Sequence, residues 1–124
     1  MAEYEVKDSG KRIEFKSGMV RDIDDNKICY SLIPVEMIKA IGTHLTKGAN
    51  KYGRENWRLA NSEKEMQRFK DSAFRHFIQW INGETDEDHK SACAFNMWAC
   101  DITKQKIKGE QYVDRENNKH RLIR

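Results

Sequence analysis

The segment from Ser62 to Gly83 constrains the fold most, because it carries helix signals at both ends and an apolar stripe between them. Ser62 and Glu65 have the spacing of a capping box, in which the two side chains bond free backbone N–H groups of the first turn. Gly83 is a residue that commonly ends a helix. The segment is therefore predicted to be an amphipathic helix, and the residues of its stripe are Met66, Phe69, Ala73, Phe77 and Trp80.

Two further segments have helical spacing, one on each side of this helix. The first is predicted to run from Pro34, the only proline, to about Lys51, since proline suits the first turn of a helix. The second is predicted to start near Thr85 or Asp86 and to end at about Lys106, because acids favour the positive end of a helix dipole. Their stripes comprise Val35, Ile38, Ile41, Leu45, Ala49 and Tyr52 in the first, and Ala92, Phe95, Ala99 and Ile102 in the second.

The ends of the chain differ from this helical centre. Residues 1–31 contain two short apolar alternations, RIEF and MVRDI, which predict a small hairpin or an extended arm. Residues 109–124 are strongly polar, and we expect this tail to fray or to dock on a partner. The fold class is therefore all-α: a small helical bundle in one domain, residues 1–124, with a short N-terminal arm or hairpin.

A second apolar stripe on the middle helix predicts self-association. It lies on a different face from the first, and one small chain can hardly cover both faces. We therefore expect a homo-oligomer, a dimer or a tetramer, in which a partner subunit buries the second stripe. The residues of this second stripe are Phe74, Ile78 and Ile81.

The bulk composition excludes several classes of protein. Charged residues make up 35% of the 124 residues, but 12 aromatic residues (3 Trp, 5 Phe and 4 Tyr) are too many for a disordered chain. A net charge of +3 is too small to indicate a nucleic-acid-binding protein, yet it suits a phosphate-bearing ligand where the cations cluster. The odd number of cysteines and the lack of a signal-peptide or membrane-length apolar run lead us to expect a cytoplasmic protein without a membrane partner.

The joint between the second and third helices gathers residue types that bind metals. His76 falls on the inward stripe, while His89 and Asn96 are seven apart and share one face of the third helix. A short link makes these helices antiparallel, which brings His76 between His89 and Asn96. Alternatively, an inward histidine is only a hydrogen-bonded core residue, and the acids only cap a helix. The candidate metal ligands are His76, Glu84, Asp86, Asp88 and His89.

A second group of candidates lies in KGANKYGRENWR, at the end of the first helix. Lys47 and Lys51 are one turn apart and can bind phosphate together, while Tyr52 or Trp57 can stack on a base. The alternative is that the lysines complement the helix dipole and that Trp57 fills the core.

Arg68 and Arg75 share one face of the middle helix with Asp71. Either Asp71 and Arg75 form an ordinary ion pair one turn apart, or Arg75, beside His76, reaches a phosphate. The sequence contains no P-loop, glycine-rich dinucleotide fingerprint or nucleophile elbow, so nothing in it indicates a covalent serine or cysteine mechanism.

Several segments, in chain order, resemble the phage dATP/dGTP diphosphohydrolase (MazZ-like) family, within the all-α MazG-type nucleotide pyrophosphohydrolases. They cover roughly residues 9 to 105. The K-Y-G-x-x-N-W element is fairly specific when it occurs together with the helix that contains Arg75-His76 and with the acids, His89 and Asn96 that follow that helix. The segments are SGKRIEFKSGMVRDI, SLIPVEM, KGANKYGRENW, RFKDSAFRHFIQW and GETDEDHKSACAFN.

The resemblance implies release of pyrophosphate from dGTP or dATP, with Mg²⁺ or Mn²⁺ bound on the helical bundle. Members in some phages supply dGMP for 2-aminoadenine DNA and remove dATP. The wider MazG group carries E-x-x-E and, further on, E-x-x-D. Here Glu84-Thr-Asp-Glu87 matches the first string at a helix start, and no E-x-x-D follows at suitable spacing.

The resulting hypothesis is a metal-dependent nucleotide pyrophosphohydrolase that converts a purine deoxynucleoside triphosphate to its monophosphate. The rival hypothesis is a non-catalytic basic helical module that binds nucleic acid or a phage partner protein. For the enzyme, the catalytic candidates are Arg75, His76 and His89. The candidates for substrate binding are Lys47, Lys51, Tyr52, Asn56, Trp57, Arg68 and Asn96, with Asn56 and Trp57 directed at the base.

Overall fold

The computed structural model describes Val6, residues 8–23 and residues 26–123, with side chains described as far as residue 109. The chain divides into two compact units, residues 1–33 and residues 34–124, which are treated separately below. Outside a two-stranded hairpin, the described secondary structure is helical, so the predicted all-α class is confirmed. The expectation of a single domain over residues 1–124 stays a prediction.

The first unit contains the predicted hairpin. Strand β1, Arg12–Glu14, pairs antiparallel with strand β2, Val20–Asp22, and Ile13 stands opposite Arg21. The turn contains Gly18 at a φ of 91°, a conformation that glycine adopts without steric cost. A short 3₁₀ helix, Tyr30–Leu32, follows. The predicted hairpin is therefore confirmed, while residues 1–5 of the N-terminal arm lie outside the described residues.

The second unit contains three α-helices and one short 3₁₀ helix. Helix α1 is Val35–Tyr52, the 3₁₀ helix is Asn56–Leu59, helix α2 is Glu63–Ile81 and helix α3 is His89–Ile123. Helices α2 and α3 are antiparallel, since His76 contacts His89 beside their link and the Cys100 thiol approaches the Met66 carbonyl further away. No helix in the described part of the chain is both long enough and apolar enough to cross a membrane.

The cap of α2 forms as the sequence predicts. Ser62 Oγ accepts a hydrogen bond from the Glu65 backbone N–H at 3.2 Å. Glu65 Oε1 accepts in return from the Asn61 backbone N–H at 3.0 Å and from the Ser62 hydroxyl at 2.7 Å. Free N–H groups at this helix end are thus satisfied from both directions. Gly83, at a φ of 76°, follows the end of the helix.

Helix α3 differs from the prediction at both ends. It begins at His89, four residues after Thr85, because Asp88 caps it: the Asp88 carboxylate accepts from the Ser91 N–H at 3.1 Å and from the Ser91 hydroxyl at 2.6 Å. The predicted end at about Lys106 is also wrong, since the helix continues to Ile123. A single glycine such as Gly109 costs a helix only about 1 kcal/mol and does not have to end it. Side chains from residue 110 onward lie outside the described residues.

The core between α2 and α3 is built from small side chains. Ala73, Ala92 and Ala99 are buried, which lets the two helices approach closely, and Met66 and Cys100 fill the end away from the link. The predicted inward positions of Phe77 and Trp80 are wrong, because both side chains are exposed. Helix α3 packs against Met66, Ala73 and His76 of α2. Trp80 lies on the same side of α2 but one turn beyond His76, which contacts the first residue of α3. Four polar side chains are buried in the same core: His76, His89, Ser91 and Thr103.

Candidate metal site

Two buried histidines meet where α2 and α3 join. His76 comes from the last third of α2, and His89 is the first residue of α3. Their Nδ1 atoms are 2.8 Å apart, and the other ring nitrogen of His89, Nε2, lies 2.8 Å from Asp86 Oδ1. The His89 side chain has no exposed surface, while the Asp86 side chain is mostly exposed. The three residues thus form a polar chain that runs from the surface into the helix interface.

The hydrogen-bonding capacity of these groups fixes where the protons lie. A carboxylate only accepts, so His89 Nε2–H donates to Asp86. In a neutral ring this leaves His89 Nδ1 with a lone pair, which accepts from His76 Nδ1–H. Burial lowers the pKa of His76, and the positive charge of Arg75 adds to this effect. The hydrogen bond from His89 holds the pKa of Asp86 below its usual range. We therefore expect a neutral His76 beside an ionised Asp86 at neutral pH.

Two overlapping sets of side chains could hold a metal ion. One is His76, Glu87 and His89, and the other is Glu84, Asp86 and His89; within each set, one possible ligand atom per residue lies within 4.8 Å of the others. Both sets contain His89, and a neutral imidazole offers only one lone pair. With Nε2–H donating to Asp86, the free lone pair of His89 is on Nδ1, which faces His76. The lone pair of His89 therefore favours the first set, and binding there requires His76 to give up its Nδ1 proton and to carry its N–H on Nε2 instead.

The geometry of the first set fits a divalent ion. Two nitrogens that each lie about 2.1 Å from one ion, at a right angle to each other, are about 3.0 Å apart. The observed Nδ1–Nδ1 separation of 2.8 Å is close to this value. Metal-binding histidines commonly donate their second N–H to a carboxylate, which fixes the ring orientation, and Asp86 provides this carboxylate. The His89 ring therefore has the carboxylate partner that metal-binding histidines commonly have.

An open cavity of about 380 Å³ lies beside this site. Gln79 donates to Glu84, a lining residue, at 3.4 Å, while the buried Oε1 atom of Gln79 lacks a partner among the described residues. Glu87 and His89 bring the first set of possible ligands to the cavity wall. The lining residues are Trp80, Glu84, Thr85, Glu87, Asp88, His89 and Lys90.

Asp88, a predicted ligand, is occupied by another role. Its carboxylate caps α3 through Ser91 and also lies 2.9 Å from Lys90 Nζ. These bonds lower the pKa of Asp88 to about 2. Asp88 belongs to neither of the two sets whose ligand atoms come together. Four of the five predicted ligands thus belong to one or the other of the two sets, Glu87 is an additional member, and the ligand roles stay a prediction.

Helix α1 brings cations and a third histidine towards the same acids. Burial lowers the pKa of His44, and the negative charges of Asp88 and Glu87 oppose this shift. The Tyr52 hydroxyl raises the pKa of Lys51, and Glu87 raises it further. The ring of His44 lies 5.4 Å from that of Phe95 on α3. The charges of the acidic link therefore act on His44 and on Lys51 of α1.

The two aromatic candidates at and after the end of α1 differ in their burial. The half-buried Trp57 ring meets Phe95 edge-on at 5.6 Å, and the guanidinium group of Arg58 lies 4.8 Å from its centroid. Lys51 Nζ lies 5.0 Å from the ring centroid of the exposed Tyr52. Trp57 therefore packs against α3, as the alternative reading of the sequence allows, with a cation over one face of its ring, and its role in substrate binding stays a prediction.

The remaining polar candidates do not converge on the histidines. The side-chain amide of Asn96 donates to the Ala92 carbonyl of its own helix at 2.8 Å. Asp71 accepts from Gln67 at 2.8 Å, and no Asp71–Arg75 ion pair occurs among the described side chains. Asn56, Arg68 and Arg75 are exposed. Of these, only Arg75 is placed to influence the histidines, through its charge beside His76.

Sequence reasoning missed Glu87 as a possible ligand and His44 as a side chain within the electrostatic influence of the acids. His44 lies three residues after Ile41 and so falls on the stripe of α1, which was a detectable signal. Glu87 was visible in the acidic run, but sequence spacing alone does not say which acid of a non-helical link turns towards the histidines. That choice depends on Asp88 capping α3, which fixes the path of the link.

The fold and the site define a small helical protein with a histidine–carboxylate cluster between two antiparallel helices. The family model described as dATP/dGTP diphosphohydrolase, N-terminal, matches residues 17–115, which is most of the chain. The chain therefore belongs to the dATP/dGTP diphosphohydrolase family. Neither the curated proteins nor the solved structures contain a match to it.

Proposed function

We propose that the protein is a metal-dependent nucleotide pyrophosphohydrolase that converts dGTP and dATP to the monophosphate and pyrophosphate. Membership of the dATP/dGTP diphosphohydrolase family supports the substrate class. The observation that carries a metal-dependent reaction is the pair of buried Nδ1 atoms, 2.8 Å apart beside a carboxylate. Consuming dATP while producing dGMP would shift the purine deoxynucleotide pool, which is the physiological role we propose.

In this proposal His76, Glu87 and His89 hold the ion, and Asp86 orients His89. When bound, a divalent ion neutralises phosphate charge, polarises a phosphoryl oxygen and lowers the pKa of a bound water. Glu84, which accepts hydrogen bonds from Asn82 and Gln79, remains beside the site as a further carboxylate. Two imidazoles and one carboxylate suit Mn²⁺ better than Mg²⁺, which prefers oxygen ligands.

The remaining charge of a triphosphate needs protein cations. Lys47 and Lys51 are one turn apart on α1, and Lys51 lies within the electrostatic field of Glu87. Arg75 is next to His76, is exposed, and is free of ion pairs within the described part of the chain. We propose that these three side chains bind the phosphates. Asn56, Arg68 and Asn96 are kept as weaker candidates for substrate contacts.

The exposed apolar side of α2 supports the proposal of a homo-oligomer. Phe74 is 68% exposed, and Ile78 and Ile81 are also exposed on the same helix. Large contiguous apolar surface on a small soluble chain is typical of a protein interface. A second copy of the chain is the partner we propose for this face.

A screen of deoxynucleoside triphosphates with product identification tests the reaction. We expect dGMP or dAMP with pyrophosphate, activity lost in EDTA and activity restored by Mn²⁺. Release of orthophosphate alone, or no turnover with either Mn²⁺ or Mg²⁺, would contradict the proposal. Binding to DNA with a steep salt dependence and no nucleotide turnover would instead support the rival nucleic-acid-binding module.

A further inference from the structure

We infer that Trp80 is the residue on which the purine base of the substrate stacks; this rests on the proposed function. Trp80 lines the cavity of about 380 Å³ that also reaches Glu87 and His89. It follows His76 by four residues on α2, so both side chains lie on one side of the helix, with Trp80 one turn closer to the link. An aromatic ring thus stands next to the proposed metal ligands in the same open space.

The exposure of Trp80 leaves room for a flat ligand. The side chain is 53% exposed although it sits beside a buried histidine. Its aromatic neighbour is Phe77, with ring centroids 6.3 Å apart and planes at 38°, which does not cover the indole face to face. A cavity of this size lies within the range of small-molecule sites. An open indole face of this kind suits a base, because every nucleobase presents a π-face.

The other two tryptophans of the chain do not offer this arrangement. Trp57 has the Arg58 guanidinium group over one face of its ring, meets Phe95 edge-on and is half-buried, so it is less open than Trp80. Trp98 on α3 is 67% exposed, but it does not line the cavity. Trp80 is therefore the tryptophan that combines an open ring with proximity to the ligand set, and it replaces Trp57 as the base contact.

Helix geometry separates Trp80 from the apolar face proposed for subunit contact. Positions four residues apart differ by about 40° around a helix, so Trp80 shares the side of Ala73 and His76. Phe74, Ile78 and Ile81 lie about 100° or more around the helix from Trp80. None of these three lines the cavity. A ligand at Trp80 and a subunit on the other face can thus be tested independently.

The test uses the full chain and two probes that differ by the base. Binding of dGMP and of inorganic tripolyphosphate is measured by calorimetry with Mn²⁺ for the wild type, W80A and W80F. Loss of a stacking aromatic typically weakens binding by about 5- to 150-fold per base. We expect W80A to weaken dGMP binding by at least about fivefold. W80F should restore most of the affinity, and tripolyphosphate binding should stay unchanged in both variants.

W98A is the matched control, since it removes an exposed indole of the same size outside the cavity, and it should bind both probes like the wild type. Because binding is measured without turnover, a chain that binds dGMP through Trp80 but hydrolyses nothing would overturn only the proposed reaction. Unchanged dGMP affinity in W80A, or equal weakening of both probes, would overturn the role of Trp80. A change in oligomer mass with unchanged dGMP binding would instead assign Trp80 to a subunit contact.

If W80A loses its helical circular dichroism signal, a second measurement tests the role of Trp80. In the double variant W57F/W98F, Trp80 is the only tryptophan, so the indole fluorescence reports on this position alone. We expect dGMP to quench this fluorescence and tripolyphosphate to leave it unchanged. Fluorescence that does not respond to dGMP would overturn the inference.

Discussion

Replacing His76 by alanine separates a metal ligand from a core histidine. The change removes the Nδ1 atom that lies 2.8 Å from His89 Nδ1 and leaves a space bounded by polar groups. A water molecule can enter such a space and satisfy His89. If His76 binds the ion, Mn²⁺ affinity should fall by at least about tenfold, and so should activity. A tenfold loss of rate is about 1.4 kcal/mol of transition-state stabilisation.

The stability that His76→Ala loses should be smaller than the free energy of unfolding of the wild type. The variant loses one neutral hydrogen bond and leaves a buried acceptor for water to satisfy, which together cost about 1–3 kcal/mol. Small domains are stable by about 5–15 kcal/mol, so most of the chain should stay folded. For a chain of this size, each kcal/mol lowers the melting temperature by about 4 °C. We therefore expect a fall of roughly 4–12 °C, measured without metal.

Thr103→Ala is the control for this experiment. Thr103 is as buried as His89, and its hydroxyl donates to the Ala99 carbonyl within α3, about 21 Å along the helix from His89. Thr103→Ala should lower the melting temperature to an extent similar to that of His76→Ala and leave Mn²⁺ affinity unchanged. If His76→Ala behaves like Thr103→Ala, with full metal affinity, then the histidine pair is structural and the ion binds elsewhere. We expect His89→Ala to behave like His76→Ala, with a larger loss of stability.

Three further predictions concern the carboxylates and the apolar face. Asp86→Asn should lower Mn²⁺ affinity by about tenfold without removing a ligand, because an amide does not orient the His89 ring as a carboxylate does. Titration calorimetry measures this affinity, and an unchanged value would contradict the proposed role of Asp86. Asp88→Ala should cost about 1 kcal/mol as a lost helix cap. The folded-state pKa of Asp88 is about 2, against an ordinary value of 3.8. The ionised carboxylate therefore stabilises the fold above about pH 4, and this stabilisation is lost as the pH falls towards 2. The Asp88→Ala variant should lack this part of the acid-induced decrease in melting temperature. Phe74→Glu should reduce the particle mass measured by light scattering to that of a single chain, whereas a wild-type protein that is already monomeric would refute the proposed homo-oligomer.

The helices could be predicted to within a few residues wherever a local signal marks their ends. Ser62 and Glu65 act within one turn, so their roles follow from sequence alone. The start of α3 could not be predicted in this way, because Thr85 and Asp88 are both acceptable caps. The bond from Asp88 to the Ser91 hydroxyl, in addition to the backbone bond, favours the later position.

The side on which α2 meets its neighbour depends on tertiary packing. Phe77 and Ala73 both lie on the predicted stripe, but the small Ala73 lets α3 come close, whereas Phe77 stays exposed. Spacing nevertheless placed His76 and His89 near each other, and the structure brings them into contact. Their role as metal ligands stays a prediction. Glu87 was not predicted as a ligand, because the backbone path of the link between α2 and α3 depends on contacts between residues that are distant in sequence.

The departure of this chain from the E-x-x-E and E-x-x-D pattern has a measurable consequence for the choice of metal. Carboxylates alone suit Mg²⁺, whereas the set of His76, Glu87 and His89 supplies two nitrogens and one oxygen. We therefore expect Mn²⁺ to bind at least about tenfold more tightly than Mg²⁺ in calorimetry at equal ionic strength. His76→Asp replaces one nitrogen ligand by an oxygen ligand. It should narrow this difference in affinity, because it weakens Mn²⁺ binding more than Mg²⁺ binding. Equal affinity for both ions in the wild type, unaffected by His76→Asp, would place the ion on Glu84 and Asp86, outside the histidine pair.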